Sequence, residues 1–299
     1  MNDEWKGFIQ KRSNGSEMVN YNDPNFPTYI HKGWVCPSST WANDPHYHDD
    51  IEILTVTSGY MAYSVDGKEI LLDEGDTIFV NSNHIHYSVP KRPERTRYTI
   101  CVFHPEILCS SPTVEKKYIR CITENPKIPF LVFKNSEFLG NKISRDVMAL
   151  PDNMVNEFMI TKQLFTIWES IITRCDSPDS IKKYHYRDSQ VTALKEMMAF
   201  IQEEYANPIT LDEIAEVGNV SRTFCHDLFR KYTDQTPIEC LTRYRVSKVA
   251  ELLKDPSLNM SEIASRTGFS STSYLGETFR KYYGETPREF RKKSIWKEA

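Results

Sequence analysis

No stretch of this 299-residue chain approaches the roughly 18 uninterrupted apolar residues of a membrane-spanning helix, which sets a membrane protein aside. The opening Met1-Asn-Asp-Glu-Trp-Lys-Gly lacks the basic start and apolar stretch of a secretory signal. The seven cysteines lack CxxC or any other metal-type spacing, and their number is odd. These absences predict reduced thiols and a cytoplasmic protein. Cys101, Cys225 and Cys240 lie among apolar residues and are expected in the core, since a free cysteine behaves as a small hydrophobe. A basic excess is missing as well: the net charge is −4. Residues 190–299 hold 16 Lys+Arg and 16 Asp+Glu, so the deficit falls within the first 189 residues, which hold 21 and 25. That balance excludes a non-specific nucleic-acid coat, whose binding rests on phosphate neutralisation. A neutral domain can still bind DNA if its charges segregate by face.

The chain is long enough for two domains. Residues 1–40 are polar and rich in Pro, Asn and Ser, and read as an arm or irregular lead-in. Residues 41–110 carry short strand patterns separated by turns, such as Ile51-Glu-Ile-Leu-Thr-Val-Thr and Met61-Ala-Tyr-Ser-Val followed by Asp66-Gly67, a hairpin signal. They predict a small antiparallel barrel or sandwich. Residues 111–175 are expected to be a helical extension, with Met154, Phe158, Leu164, Ile167 and Ile171 at helical spacing, although 112–150 are ambiguous. Residues 176–189 read as a linker and 190–299 as an all-helical domain.

That last domain repeats itself. Leu211-Asp-Glu-Ile-Ala returns as Met260-Ser-Glu-Ile-Ala at an offset of 49, and Phe229-Arg-Lys-Tyr with Thr236-Pro237 returns as Phe279-Arg-Lys-Tyr with Thr286-Pro287 at an offset of 50. One residue is therefore inserted between them, near Gly268. Two copies are too few for a solenoid and indicate a duplicated helix-turn-helix unit. Thr210 with Glu213, and Asn259 with Glu262, are matching helix-start signals. Gly218 and Gly268 fall near the turns, and Ser221 and Ser271 are suited to cap the second helix of each pair. Those helices, roughly 222–232 and 272–282, are the candidate recognition helices. Phe224, Cys225, Leu228 and Phe229, and in the second copy Tyr274, Leu275, Thr278 and Phe279, are expected to pack inward. That leaves Thr223, His226, Asp227, Thr272, Ser273 and Glu277 as candidates for base edges. Ser221, Arg230, Lys231, Ser271, Arg280 and Lys281 are candidates for phosphates. Residues 237–254 read as one helix holding the units apart.

Ile263-Ala264, Gly268-Phe269, Tyr274, Phe279-Arg-Lys, Gly284-Glu-Thr-Pro287 and Phe290-Arg291 give residues 190–299 a specific resemblance to the DNA-binding domain of the AraC/XylS family of bacterial transcription regulators. The resemblance implies binding to double-stranded promoter DNA, usually activation through RNA polymerase, and a homodimer formed through the helix at 151–174; the alternative is that this helix packs on its own barrel. Asp227 and Glu277 depart from the basic or neutral residues usual at those positions, Gly276 removes a side chain from the second recognition helix, and Cys225 replaces a usual Leu.

The run His46-Tyr-His48-Asp-Asp-Ile-Glu52, with Gly59, Gly75 and His86, resembles a cupin. Thr40, Asn81, Asn83 and Pro90 stand where that motif has Gly, Pro, Gly and Asn. The expected fold is thus α+β with two domains: a cupin-like antiparallel β-barrel with helices at its C-terminal side, then an all-α domain with two tandem helix-turn-helix units. Three readings of His46, His48, Glu52 and His86 stay open. In the first they line the pocket of a small-molecule effector, most simply a sugar, with no cofactor required and no enzymatic activity. In the second they bind a divalent metal, which imidazole and carboxylate ligands suit. In the third the barrel is a metal-dependent cupin enzyme fused to a DNA-binding domain. Trp41, Tyr63 and Tyr87 are the aromatic candidates for the pocket wall, with Tyr60 and Phe79 also expected inside.

Overall fold

A computed structural model describes residues 10–12, 16–36, 39, 42–89, 91, 94–175 and 188–295. Thr40, Trp41, Pro90 and residues 176–187 of the linker lie outside the described residues. The chain separates into two compact units, centred on residues 16–188 and 189–299.

Near the start of the chain, β1 (Gln10–Lys11) and β2 (Glu17–Met18) form a two-stranded ribbon. The other strands are β3 (Thr28–Val35), β4 (Ile51–Ser58), β5 (Tyr60–Val65), β6 (Lys68–Asp73), β7 (Thr77–Val80), β8 (His86–Val89), β9 (Thr96–Phe103) and β10 (Phe130–Phe133). They make a five-stranded sheet in the order β10-β7-β4-β9-β3 and a three-stranded sheet in the order β6-β5-β8. Asp66 and Gly67 both take positive φ, 48° and 76°, as the hairpin signal between β5 and β6 required. The irregular lead-in expected over 1–40 is corrected at residues 28–35. These form a full strand paired antiparallel with β9, Thr28 opposite Phe103 and Val35 opposite Thr96. Thr28–Val35 shows no clean polar–apolar alternation, because Thr28 and Lys32 share one face with Ile30 and Trp34 while His31 shares the other with Tyr29 and Val35.

The alternation of side chains along each strand sorts the residues into two cores. Ile51 and Ile53 of β4, Phe79 of β7, Cys101 and Phe103 of β9, and Leu131 and Phe133 of β10 face a helical layer. Leu54 and Val56, Ile78 and Val80, Tyr98, and Phe130 face the barrel interior with Met61, Tyr63 and Val65 of β5. Phe79, expected inside the barrel, is therefore packed on its outside against Trp168, with ring centroids 6.1 Å apart.

The ambiguous stretch 112–150 holds α1 (Pro112–Val114), a π turn, α2 (Arg120–Thr123), strand β10, and α3 (Phe138–Ala149). A short 3₁₀ turn leads to α4 (Glu157–Cys175). Ile143 and Val147 of α3, and Leu164, Ile167, Trp168 and Ile171 of α4, fill the outer core. Of the residues read at helical spacing, Met154 lies ahead of α4, and it and Phe158 are exposed, Phe158 at 77%. Asn81, in place of the cupin proline, donates from Nδ2 to the carbonyls of Ile122 (2.8 Å) and Ile128 (2.9 Å) and so ties this region to the barrel. Asn83, in place of the second glycine, keeps the left-handed turn with φ 65°.

The second unit is helical: α5 (Asp188–Glu204), α6 (Leu211–Val217), α7 (Arg222–Thr233), α8 (Pro237–Leu252), α9 (Met260–Arg266), α10 (Thr272–Tyr283) and α11 (Pro287–Ile295). Ile214, Ala215, Cys225, Leu228 and Phe229 are buried in the first repeat, and Ile263, Ala264, Leu275, Thr278 and Phe279 in the second. Cys240 is only half-buried, and its Sγ donates to Oε1 of Gln235 at 3.4 Å, so it is not the core residue expected. Capping boxes form at Thr210–Glu213 and Asn259–Glu262. Two more, unread in the sequence, form at Thr236–Glu239 and Thr286–Glu289, where the Thr-Pro pairs begin α8 and α11.

Hydrogen bonds from these caps hold the carboxyls of Glu213, Glu239 and Glu289 below their usual pKa near 4.5. A depressed carboxylate contributes stability above its unfolded pKa and loses it as pH falls through the folded value. The melting midpoint of the helical unit is therefore expected to stay level from pH 7 to 5 and to fall below pH 4.5. Glu213→Gln with Glu289→Gln should flatten that fall; an unchanged acid limb would remove the caps as its cause.

Candidate functional site

Two sites emerge. The first is the outer face of α7 and α10. Ser221 begins α7 by accepting from the amide of Phe224 at 3.2 Å, and Ser271 begins α10 by accepting from Tyr274 at 3.2 Å. With the apolar face buried, helical geometry turns Thr223, His226, Asp227, Arg230 and Lys231 outward on α7 and Thr272, Ser273, Glu277, Arg280 and Lys281 outward on α10; all are exposed. Phe224 and Tyr274 do not pack inward as expected: they are 40% and 49% exposed. Each sits in the first turn, before the helix dips into the core. Tyr274 lies edge-on to Phe269 at 5.6 Å.

The candidate phosphate residues are not equally available. Arg230 pairs with Glu239 at 3.2 Å and donates to the carbonyl of Asp234 at 3.0 Å. Lys231 donates to Gln190 at 3.2 Å. Arg222, passed over in the sequence, opens α7 and pairs with Asp212 of α6 at 3.0 Å, bracing the two helices of the first pair. Between the repeats, α8 spans about 24 Å at 1.5 Å per residue. Its Arg245 donates to the carbonyls of Tyr205 (2.7 Å) and Asn207 (2.8 Å).

The second site lies inside the barrel. A cavity of about 110 Å³ is lined by His46, His48, Glu52 and Tyr63, together with Glu17, Asn20, Tyr29, His31, Ser88 and Tyr98, and by apolar Leu54, Ile100 and Val102. His86 stands beside it, its ring 4.4 Å from that of His46 and 4.9 Å from that of His48. The four motif residues thus converge as the sequence placed them. Tyr63 also reaches the site and donates its hydroxyl to Oε1 of Glu52. Tyr87 does not line the cavity: it alternates with His86 and Ser88 along β8 and points to the opposite face. The sequence reading missed Glu17, Asn20, Tyr29 and His31 because it placed them in an irregular arm. The i, i+2 spacing of Tyr29 and His31, which puts both on one face of an extended segment, was the signal that could have found the last two.

The imidazoles share one arrangement. Nδ1 of His46 bonds the carbonyl of Asp44 (2.8 Å), Nδ1 of His48 that of Asp50 (3.0 Å), and Nδ1 of His86 that of His84 (2.8 Å). A carbonyl only accepts, so each Nδ1 carries the proton, and in the neutral ring each Nε2 presents a lone pair inward. Burial, aided by His86, lowers the pKa of His46. Burial would raise that of Glu52, but pairing with His86 and His48 in their protonated forms holds it well below the usual range. Burial and the Glu52 charge raise the Tyr63 phenol, which keeps its proton.

The cupin fold implies a metal at this place, and the residues fit one. The ligand atoms of His46, His48, Glu52 and His86 lie within 4.8 Å of one another. Nε2 of His86 is buried and makes no hydrogen bond. Oε2 of Glu52 stands 3.4 Å from Nε2 of His86 and 3.8 Å from Nε2 of His48. Backbone carbonyls orient the three rings from behind, as outer partners commonly do for metal-ligating histidines. A divalent ion held by the three Nε2 atoms and Glu52 would supply a Lewis-acidic centre for an oxygen-bearing ligand.

Comparison with known proteins agrees with this division. Residues 214–293 match the helix-turn-helix domain family and residues 34–103 the cupin domain family. An uncharacterized HTH-type transcriptional regulator, YdeC of Bacillus subtilis, is 24% identical over 289 residues, 93% of this chain and 96% of its own. The melibiose operon regulatory protein of Escherichia coli is 23% identical over 257 residues, 83% of each chain. A crystal structure of fatty-acid-bound ToxT from Vibrio cholerae aligns over 92% of this chain and 97% of its own, at 13% identity and a TM-score of 0.47. No helix among the described residues is long and apolar enough to cross a membrane. The chain thus carries a helix-turn-helix domain at residues 214–293 and a cupin domain at residues 34–103, and over most of its length it is similar to DNA-binding transcription regulators of the AraC type.

Proposed function

We propose that the protein is a one-component regulator: α7 and α10 read two segments of promoter DNA, and the barrel binds a small-molecule effector that alters this binding. The observation that carries the reading is the pair of Ser-capped helices whose polar faces are exposed at matching positions of the repeat. Thr223, His226 and Asp227, with Thr272, Ser273 and Glu277, face base edges in the major groove, and Arg280 and Lys281 meet phosphates. Ser221 and Ser271 present helix N-termini to the backbone of the DNA. Arg230 and Lys231 reach phosphates after giving up their present partners. The DNA-bound protein activates transcription through RNA polymerase.

The effector is sugar-like. Three tyrosines, Tyr29, Tyr63 and Tyr98, with Asn20, His31 and Ser88, offer apolar faces and hydrogen bonds together. Relatives that include the melibiose operon regulatory protein support this class. The cavity of about 110 Å³ is smaller than the ~150 Å³ that accepts benzene, so a sugar ring requires side chains of the N-terminal segment to give way. Melting the purified protein against mono- and oligosaccharides tests this. A ligand at 100 times its Kd adds about 2.7 kcal/mol and raises the midpoint by several degrees. A flat panel rejects a sugar effector while leaving DNA binding, measured separately, untouched.

The protein acts as a dimer. Met154, Val155 (93% exposed), Phe158, Met159 and Phe165 form an apolar stripe along the N-terminal half of α4 and its approach. Such a patch on a soluble surface marks an interface, and a two-fold pair is the commonest closed solution. Phe158→Glu is expected to yield a monomer in sedimentation, with an unchanged melting midpoint for the helical unit. A dimer that survives the change places the interface elsewhere.

A further inference from the structure

Glu17 has no place in the cupin motif, yet it reaches the histidine centre. Its Oε2 lies 3.5 Å from Nε2 of His46, and its side chain is 15% accessible. The amide of Glu17 donates to the carbonyl of Tyr47 at 2.8 Å, which fixes strand β2 beside the motif residues. Its carboxylate is one of the groups lining the cavity. The separations around the centre, 3.4 Å for His86 to Glu52, 3.5 Å for His46 to Glu17 and 3.8 Å for His48 to Glu52, are long for charge-assisted hydrogen bonds. They are close to the ~3.0–3.4 Å edges between neighbouring ligands about 2.1 Å from one ion.

We propose that Glu17 is a further ligand to a divalent ion held by His46, His48, Glu52 and His86, so that ion binding fastens the N-terminal segment onto the barrel. The donor set is then three imidazoles and two carboxylates, which a divalent ion neutralises without an added proton. Such a set suits manganese, iron, nickel or zinc. Residues 17–20 also line the cavity, through Glu17, Val19 and Asn20. Fastening them therefore sets the shape of the pocket that an effector meets. The inference goes beyond the regulatory reading and does not depend on it.

The full-length metal-free protein is titrated with manganese(II), followed by electron paramagnetic resonance, and separately with zinc(II), followed by calorimetry. Hydrogen exchange of residues 16–22 is recorded with and without each ion. One ion per chain is expected, abolished by His48→Ala, which sets aside binding by the free thiols. Glu17→Gln is expected to weaken the ion about ten- to hundredfold, and to lose the protection that the ion confers on residues 16–22. Tyr21→Phe is the control for segment packing, because it removes the 2.5 Å bond from Tyr21 to Oδ1 of Asp50 without removing a ligand. It should keep the wild-type affinity within about threefold. Equal affinity in the wild type and Glu17→Gln overturns the proposal, as does failure of both ions to bind. Equal weakening by Tyr21→Phe and Glu17→Gln also overturns it, since segment packing would then explain the loss.

Discussion

Gly268→Ala is expected to destabilise the helical unit by about 2–5 kcal/mol, whereas Gly284→Ala costs about 1 kcal/mol. Both glycines take left-handed backbone, with φ of 73° and 72°. A side chain in that region costs roughly 1–2 kcal/mol. The surroundings differ. A Cβ at Gly284 meets nothing within 4 Å. A Cβ at Gly268 would lie 2.6 Å from the carbonyl oxygen of Tyr205, 3.0 Å from that of Ala206 and 2.9 Å from Nε of Arg245. Two of these are backbone atoms, and the third belongs to the side chain that α8 uses to hold the same loop. Relief therefore requires the loop to move, and overpacking of this kind costs about 1–3 kcal/mol more. The first repeat supports the distinction. Asn219 and Asp234 stand where the second repeat has Gly268 and Gly284, and both take positive φ with a side chain present. At roughly 4 °C per kcal/mol, the midpoint should fall by about 8–20 °C for Gly268→Ala and about 4 °C for Gly284→Ala. Specific DNA binding should weaken with the first variant only. Equal shifts would mean that close packing at Gly268 contributes nothing.

Replacing Asp227 or Glu277 by Ala should both weaken binding to the preferred sequence and relax the preference itself. Both are exposed on the outer helix faces, and neither has an ion-pair partner among the described residues. Against DNA a carboxylate is repelled by phosphate, so it is tolerated only where it accepts a hydrogen bond, as from N4 of cytosine. Removing one such contact costs about 1–3 kcal/mol on the preferred sequence and relaxes the preference at a single base pair. Binding to unrelated DNA should rise, because a negative charge has gone. Lys281→Ala should do the reverse: it should weaken all sequences alike and make the salt dependence less steep. Binding-site selection from random duplexes with each variant separates these outcomes. An unchanged preference with the Asp227 and Glu277 variants would take both residues off the contact surface.

The helical unit was legible because local rules dominate it. Caps, turns and the i, i+3, i+4 pattern fixed α6 to α10 within a residue or two. Besides Cys240 of α8, the misplaced side chains there are Phe224 and Tyr274, which belong to first turns and remain exposed. The barrel was legible only in part. Histidine and glutamate spacing placed four residues at one point. The opposed placement of Phe79 and Tyr63 required the strand parity, because both faces of the sheet are apolar. Strand β3 went unread because polar and apolar residues mix on both of its faces, and Tyr29 and His31 went with it. Glu17 had no signal of its own: a lone carboxylate in a polar segment becomes informative only when folding brings it to His46.

The inserted residue between the repeats falls at Ser270. The bond from Phe269 to the carbonyl of Ala264 still matches that from Val220 to Ala215, while Ser271 already follows Ser221 at the longer offset. The two units are successive copies along one chain, and their outward residues differ: Thr223, His226 and Asp227 against Thr272, Ser273 and Glu277. Whatever rotation relates the two copies, their unequal outward side chains break the symmetry of the surface offered to DNA. The footprint of a single chain on DNA is therefore non-palindromic and has a polarity. Reversing a site end for end relative to the transcription start gives a different complex, not the same one viewed from behind.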